Sequence, residues 1–267
     1  MVGPGRNLAL IRTTLDQVKQ VAHTHNATVN DVLLAAAAGG LRALLCSRGE
    51  PVQDTTVRIY VPVSLRRRAR GPQQGNLIAQ MAVPLPLGVS EPGRRLHQIA
   101  AETAKRKART RTSLGTLFRG RIARLLLMKA VMRQRVNVTS ASIPGPQAPL
   151  YLAGARLLEV FPVLPLIANE PLGVGALSYA GTFTIAVVAD RDALPDVEVF
   201  AAGAREELRA LGVSTYPTSG RPGADALGAR PTRDGRPAGD AGDNRAVVAQ
   251  PLVLSEGEMV THDNAQC

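Results

Sequence analysis

The stretch ATVNDVLLAAAAGG, residues 27–40, places an asparagine and an aspartate side by side at the start of an apolar run. Thr28 and Asp31 have the Thr-x-x-Asp spacing of a capping box, which satisfies free backbone N–H groups at a helix start. A carboxylate at this position also interacts favourably with the helix dipole. These effects together contribute about 1–2 kcal/mol, so the sequence predicts that Asp31 begins a helix.

Asn30 has two interpretations. On a helix it shares a stripe with Leu33, Leu34 and Ala37, so its amide should lie against the interior. A buried amide needs partners, because leaving it unpaired costs about 1–3 kcal/mol. Either the amide makes a structural hydrogen bond to a neighbouring loop, or it orients a reacting group nearby.

The histidines are the other candidates for chemistry, since an imidazole can accept a proton near neutral pH. His23 and His25 lie at the end of a predicted short helix, just before Asn30. They are interpreted either as a catalytic base or as solvated residues at a helix end. His97 lies beside the apolar line of a basic helix and is interpreted as an ordinary, partly exposed side chain.

Composition narrows the class of protein. The 267 residues are 45% apolar, which is enough for a sizeable core, but only 3% are aromatic and none is tryptophan. No uncharged apolar run reaches the roughly 18 residues that span a bilayer, and the N-terminus lacks a signal-peptide pattern. Cys46 and Cys267 predict neither a disulfide framework nor a metal site. We therefore expect a cytoplasmic protein.

Positive charge is concentrated in one region. The net charge is +11, and the stretch from Arg94 to Arg124 contains ten basic residues and one acidic residue, Glu102. Such a stripe can bind nucleic acid, anionic lipid or a phosphorylated cofactor, or it can be a solvated helix face. Nucleic acid is disfavoured, because aromatic stacking platforms are nearly absent and no recognition motif appears. A membrane or lipid-inclusion surface stays open.

Hydrophobic periodicity predicts an α/β (α+β) domain in which helices flank a mixed sheet. Helices are predicted over residues 13–25, 29–47, 90–111, 114–133 and 195–211, the third capped by Ser90 and the last starting at Pro195. Strands are predicted over residues 55–66, 75–87, 135–142, 154–165, 173–180 and 182–190. The last two strands should form a hairpin at Gly181, and Pro62 indicates an edge or a bulge. Residues 213–267 are rich in Gly, Pro, Asp and Arg, which predicts a disordered tail.

Four segments follow one another in a distinctive order: ATVNDVLLAAAAGGLRALL, GNLIAQMAVPLPL with the later RRLHQIAAET, IPGPQAPLYLAGARLLEVFPV, and GVGALSYAGTFTIAVVADRDALPD. Together they resemble the C-terminal half of the bacterial wax ester synthase / diacylglycerol acyltransferase family. The likeness covers residues 8–212 and puts residues 1–7 where a linker between lobes would be. It implies one lobe of a two-lobed fold similar to chloramphenicol acetyltransferase. It also implies acyl transfer from acyl-CoA, a substrate rather than a bound cofactor, to diacylglycerol or a long-chain alcohol.

The resemblance also implies a set of residues near the active centre. The family's Asn-Asp motif corresponds to Asn30 and Asp31, and its Asn-Val-Pro-Gly-Pro segment corresponds to residues 142–146. Ser142 replaces the asparagine of that segment and offers a shorter side chain with one donor instead of two. The residues implied as active-centre support are Asn30, Asp31, Ser142, Pro144, Gly145 and Pro146.

The family's catalytic signature, His-His-x-x-x-Asp-Gly, occurs nowhere in this sequence. Losing a general base typically lowers the rate about 10²–10⁴-fold. One hypothesis is an acyltransferase half whose His-bearing N-terminal lobe is supplied separately. The alternative is a non-catalytic lipid-surface or regulatory protein. A fragment, a split gene, a late start codon and a degenerate paralogue all fit the pattern.

Overall fold

The computed structural model describes residues 3–53, 55–64, 78–117, 138–166 and 170–216. Within these ranges the helices are α1 (Leu15–Thr24), α2 (Val29–Ser47), α3 (Pro92–Leu117) and α4 (Val197–Ala210). The strands are β1 (Arg6–Thr14), β2 (Thr56–Ser64), β3 (Ile78–Pro86), β4 (Val138–Pro144), β5 (Tyr151–Leu152), β6 (Ala155–Arg156), β7 (Leu172–Tyr179) and β8 (Thr182–Asp190). The predicted helical residues 118–133 and most of the predicted tail, residues 217–267, lie outside the described ranges.

Six strands form one mixed sheet in the order β1-β8-β7-β4-β2-β3. The β4–β7 and β2–β4 pairs are parallel and the other pairs are antiparallel. The predicted mixed α/β architecture is therefore confirmed. The hairpin at Gly181 is confirmed too, and its turn uses the left-handed backbone of Ala180 and Gly181. Pro62 lies on β2, which is an interior strand and not the predicted edge, but it lies past the residues that pair with β4 and therefore pairs with β3 alone among the described residues.

The hydrophobic core lies between the helices and one face of the sheet. Ala9 and Ile11 on β1 point into it, and Leu10 and Arg12 alternate to the opposite face. Helix α2 is long and apolar enough to cross a membrane by length and composition, but two thirds of that window is buried inside the fold. Helix α2 is thus the central core helix that its nearly all-apolar sequence predicts.

Helices α2 and α4 pack closely because small residues meet at their crossing. A Cβ added at Gly203 of α4 would lie 2.3 Å from the Cβ of Ala43 on α2. A Cβ added at Gly40 would lie 2.8 Å from the backbone oxygen of Phe200. Beside this crossing, the Arg95 guanidinium of α3 donates to the Glu207 carboxylate of α4, and both side chains are buried. Burial raises the pKa of Glu207 despite the attraction of Arg95.

Three predictions about local structure are wrong. Strand β1 extends to Thr14, so residues 13 and 14, which were predicted to begin a helix, belong to a strand; its apolar run at residues 8–11 was the available signal. Residues 154–165 form only the two-residue strand β6, followed by chain without regular secondary structure. Helix α3 continues through Leu117 without the predicted break after residue 111, because no glycine or proline interrupts residues 111–114.

The caps of two helices also differ from prediction. The Glu91 carboxylate, rather than Ser90, accepts hydrogen bonds from the backbone N–H groups of Gly93 and Arg94 at the start of α3. These bonds lower the pKa of Glu91. Helix α4 begins at Val197, two residues after its predicted start at Pro195, and Asp196 occupies the N-cap position.

Candidate active centre

Both carboxylate oxygens of Asp31 accept hydrogen bonds from neighbouring residues. Its Oδ2 accepts hydrogen bonds from the backbone N–H of Thr28 at 2.8 Å and from the Thr28 hydroxyl at 2.6 Å. The Asp31 N–H donates to Thr28 Oγ1 at 3.3 Å, which completes the predicted capping box. The other oxygen, Oδ1, accepts from the Thr103 hydroxyl of α3 at 2.7 Å. Asp31 therefore starts α2 and ties it to α3, and each of its carboxylate oxygens accepts at least one hydrogen bond from these neighbours.

Unlike the carboxylate of Asp31, the side-chain amide of Asn30 has a nitrogen without a hydrogen-bond acceptor among the described residues. Its Nδ2 atom is buried, and no residue of the described ranges accepts a hydrogen bond from it. The loop hydrogen bond that the structural interpretation requires for this nitrogen is thus not found among the described residues. A buried amide without a partner is costly, so a group outside the described chain is a suitable acceptor for it.

Residues 142–146 are held against the end of β7. Ser142 pairs with Ala176, and Pro144 with Ser178, in the parallel β4–β7 ladder. The Gly145 N–H donates to Ser178 Oγ at 3.2 Å, and the Pro146 carbonyl accepts from the Ala180 N–H at 3.0 Å. This segment is consequently a fixed ridge at one end of the sheet.

The hydrogen bonds of the described residues do not join the two halves of the predicted site. Those of Asp31 reach Thr28 and Thr103, whereas those of residues 142–146 reach β7 and the turn after it. Each half is firmly positioned by its own elements. What the sequence missed is Thr103, which anchors Asp31 across 72 residues of chain and had no local signal.

Gly145 provides a test of how closely the ridge approaches β7. A Cβ added at Gly145 would lie 2.1 Å from the backbone oxygen of Ser178. In a variant with alanine there, residues 142–146 would therefore have to move away from β7. We expect Gly145→Ala to lower the free energy of unfolding by about 1–3 kcal/mol, measured by urea denaturation. Gly5→Ala is the matched control, because its Cβ would come no closer than 3.2 Å to the nearest atoms, which belong to the Arg191 side chain. Equal effects of the two substitutions would contradict the close approach.

The histidines form a pair that the sequence did not predict. His25 Nδ1 and His97 Nε2 lie 3.1 Å apart, with the rings edge to face. The pair connects the end of α1 to the first turns of α3, near Glu91. Within the described ranges, no three His, Cys, Asp or Glu side chains are grouped to hold a metal ion. The pair is one hydrogen-bonded contact between helices, and nothing in its geometry assigns it the role of a base.

Part of the basic stripe is used inside the fold. Arg95 is buried against Glu207, and Arg106 donates to the Ala82 carbonyl of β3 at 2.8 Å. Leu96 and Ile99 on the same helix have no exposed surface, so the apolar line of α3 packs on the core. The lipid hypothesis also uses apolar residues of the predicted helix 114–133, and of these Phe118, Leu125, Leu126 and Met128 lie outside the described ranges.

Comparison with known families identifies a part of the chain that includes Thr103 and residues 142–146 but not Asn30 and Asp31. The family model described as the WS/DGAT C-terminal domain matches residues 74–212. A putative diacylglycerol O-acyltransferase of Mycobacterium bovis is 30% identical over 216 residues, which are 77% of this chain and 46% of the relative. The O-acyltransferase WSD of Acinetobacter baylyi is 28% identical over 216 residues, 78% of this chain and 46% of the relative. The chain thus spans about half the length of the curated relatives it matches.

Solved structures show the same fold. The wax ester synthase/diacylglycerol acyltransferase of Marinobacter aquaeolei VT8 superposes with a TM-score of 0.61 and 24% identity, over 79% of this chain and 49% of that one. The epimerization domain from the third module of tyrocidine synthetase B superposes with a TM-score of 0.52 and 17% identity, over 78% and 47% of the two chains.

Proposed function

Since this chain belongs to the WS/DGAT C-terminal domain family, we propose that it is the C-terminal half of an O-acyltransferase. The proposed reaction moves a fatty acyl group from acyl-CoA to the hydroxyl of a diacylglycerol or a long-chain alcohol. The match of the family model over residues 74–212 is the observation that supports this proposal most directly. Acyl-CoA is a substrate in this scheme and not a bound cofactor.

The reaction needs a general base. In the proposed mechanism this chain does not supply it. A histidine takes the proton of the acceptor hydroxyl while its oxygen attacks the thioester carbonyl. The carbon–sulfur bond then breaks, and the CoA thiolate leaves and takes up the proton. The sequence lacks the His-His-x-x-x-Asp-Gly signature, so we propose that a separate N-terminal lobe supplies this histidine.

Asn30 is the residue of this chain that we assign to the shared centre. Its Nδ2, which has no acceptor among the described residues, can donate a hydrogen bond to the oxygen that gains negative charge during attack, or to a group of the other lobe. Asp31 and Thr103 hold the first turn of α2 that presents this amide. The ridge at residues 142–146 is assigned as support, with Ser142 in place of the family's asparagine.

The alternative is a non-catalytic protein at a membrane or lipid-inclusion surface. The exposed basic residues Arg94 and Lys105 on α3 favour it, because each such residue near anionic lipid contributes about 1 kcal/mol. Under either function we propose a cytoplasmic protein that contacts a lipid surface peripherally. Neither function involves nucleic acid.

The experiment compares the chain alone with a chimera. The chimera places the part of the Mycobacterium bovis relative that this chain does not match in front of this chain, on one polypeptide. Both are given a long-chain acyl-CoA with diacylglycerol or a fatty alcohol, and released CoA thiol is measured. We expect acceptor-dependent release by the chimera to exceed that of the chain alone by at least about 10²-fold.

Two outcomes would contradict the proposal. Acceptor-dependent release by the chain alone would mean that it contains a base, and His25 and His97 would be replaced first. A folded chimera with no activity above the chain alone would favour the non-catalytic alternative. The control is a chimera whose added lobe has alanine at the second signature histidine, which should be as inactive as the chain alone.

A further inference from the structure

Two histidines without a role in the proposed reaction form a hydrogen bond between two helices. His25 is the C-cap residue of α1, and His97 lies in the second turn of α3. His25 Nδ1 and His97 Nε2 are 3.1 Å apart. One nitrogen must carry a proton and the other must present a lone pair, so the bond needs at least one neutral imidazole. His97 is exposed and His25 is partly exposed, so protons from solvent reach the pair.

A short connection links the position of His25 to the start of α2. The chain turns at Asn26, whose backbone is left-handed with a φ of 49°. The Ala27 N–H donates to the Ala22 carbonyl of α1 at 2.7 Å, which closes the turn as a Schellman motif. The next residue, Thr28, is the N-cap of α2. Because only Asn26 and Ala27 separate the two caps, a displacement of His25 moves the first turn of α2 with it.

Helix α3 contacts this region at a second point. The Thr103 hydroxyl donates to Asp31 Oδ1 at 2.7 Å, and both side chains are buried. Asp31 in turn is joined to Thr28 by the capping box. The contacts therefore form a closed ring, and the first turn of α2, which carries the candidate amide of the active centre, is part of it. The members of the ring, closed by α3, are His97, His25, Thr28, Asp31 and Thr103.

The carboxylate of Glu91 lies beside the pair. A Cβ added at Gly93 would be 2.9 Å from Glu91 Oε1 and 3.2 Å from His25 Cε1, so the two groups border the same space. The backbone N–H groups of Arg94 and Gly93 lower the pKa of Glu91, and the nearby histidines act in the same direction. Glu91 consequently stays charged between neutral and mildly acidic pH.

Each of the three helices around the pair also carries a charged or titratable group near it. These groups are His23 on α1, Asp31 on α2 and Arg94 on α3. An arginine keeps its charge at all pH values concerned, and the Asp31 carboxylate accepts the hydrogen bonds described above. The groups that change charge between neutral and mildly acidic pH are therefore the imidazoles.

From this arrangement we infer that the hydrogen bond between His25 and His97 is a proton-dependent tie that keeps Asn30 in position. When both imidazoles are protonated, neither offers a lone pair and two like charges face each other, so the tie opens. The first turn of α2 then loses one of the two attachments to α3 described above. The inference rests on the proposed function for the role of Asn30. It makes the two histidines positioning residues, and it predicts that opening of the tie at acidic pH lowers the rate of the reaction.

Amide hydrogen exchange of the isolated chain tests the tie without relying on activity. Exchange is measured at about pH 7.5 and about pH 5.5, within the range where imidazoles titrate, and is corrected for the intrinsic rate at each pH. We expect the protection of residues 26–32 to fall about fivefold at the lower pH, which is the effect of losing one typical hydrogen bond. Amides of α4 provide the reference for a change in global stability.

Two substitutions at one position separate the tie from its protonation. His97→Gln supplies an amide that can donate or accept a hydrogen bond without titrating, so residues 26–32 should stay protected at both pH values. His97→Ala removes the tie, so these residues should show the lower protection at both. His23→Gln is the control, because this exposed histidine lies outside the pair, and it should keep the pH dependence of the unchanged chain.

The chimera described above tests the effect of the tie on the reaction. The histidine of the added lobe also titrates, so the measured quantity is the ratio of kcat between the unchanged chimera and its His97→Gln variant, which share that histidine. We expect this ratio to be near one at about pH 7.5 and to fall about fivefold at about pH 5.5, with equal KM for acyl-CoA. In chimeras that also carry Asn30→Ala the ratio should not change with pH, because the tie acts through Asn30.

The outcomes keep the two proposals apart. Protection of residues 26–32 that is independent of pH, or that changes equally in His97→Gln, would overturn the inference. An active chimera whose kcat ratio is independent of pH would also overturn it, as would a ratio that still falls with Asn30→Ala, because the tie would then not act through Asn30. An inactive chimera with the expected exchange pattern would overturn the proposed function and support the proton-dependent tie.

Discussion

Arg95→Met is expected to lower the free energy of unfolding by about 3–5 kcal/mol, because it leaves the Glu207 carboxylate buried without its partner. Arg95 and Glu207 retain only 2% and 5% of their side-chain exposure. Arg95 also donates from Nε and Nη2 to the Val89 carbonyl, at 3.0 and 2.7 Å, and from Nη2 to the Ser90 carbonyl at 3.1 Å. One guanidinium thus joins α3, α4 and the loop that precedes α3. The measurement is urea denaturation followed by circular dichroism.

A double variant separates the buried charge from the lost packing. Arg95→Met with Glu207→Met removes both charges, and such replacements of buried ion pairs are often neutral or stabilising. We expect the double variant to recover much of the stability, although the Val89 and Ser90 carbonyls still lose their donor. Arg209→Met is the control, because its pair with Glu206 is exposed and its loss should cost no more than about 1 kcal/mol. A double variant as unstable as Arg95→Met would contradict the argument from unpaired charge.

The same pair shows why part of the fold could not be predicted from the sequence. In the sequence Arg95 is one of ten basic residues in a stripe, and its partner lies 112 positions away. The capping box at Thr28 and Asp31 could be predicted because both partners lie within one helical turn. The mixed sheet and the hairpin at Gly181 were likewise encoded by local alternation and turn residues.

The segment at residues 157–166 illustrates a different limit. The sequence pattern predicted a strand over residues 154–165, and residues 161–164 do alternate in burial, with Pro162 and Leu164 buried. This burial comes instead from contact of Pro162 and Leu164 with Gly175 of β7. A side-chain pattern of period two reports that one side is buried, but it does not report hydrogen bonding to a neighbouring strand.

The candidate site also contains residues whose roles could be predicted from the sequence and residues whose roles could not. Local rules predicted what Asp31 does, and they left Asn30 with two interpretations. Only the arrangement of the described residues shows that the Asn30 nitrogen has no acceptor among them. The family likeness indicated residues 142–146, and the structure shows what holds them, namely Ser178 and the turn at Ala180.

We therefore expect substitutions at positions 30 and 31 to differ in what they change. Replacing Asp31 should lower the free energy of unfolding, whereas replacing Asn30 should lower kcat. Asp31→Ala removes the acceptor of three hydrogen bonds, one of them from Thr103 on another helix. Loss of a cap costs about 1 kcal/mol and loss of a buried acceptor about 1–3 kcal/mol, so we expect a decrease of about 2–4 kcal/mol in the free energy of unfolding. Asp31→Asn keeps the shape and one acceptor oxygen, and it should lose less. The measurement is urea denaturation of the three proteins at neutral pH.

Asn30→Ala removes a buried nitrogen that has no partner among the described residues, so the isolated chain should lose no more than about 0.5 kcal/mol. In the active chimera the same change should lower kcat by about 10²-fold, the usual effect of deleting one donor to a developing oxyanion. KM for acyl-CoA should change little, because the donor acts on charge that appears only during attack. A loss of stability above about 1 kcal/mol with unchanged kcat would assign Asn30 to structure. A change in KM alone would place its partner on the bound substrate before reaction.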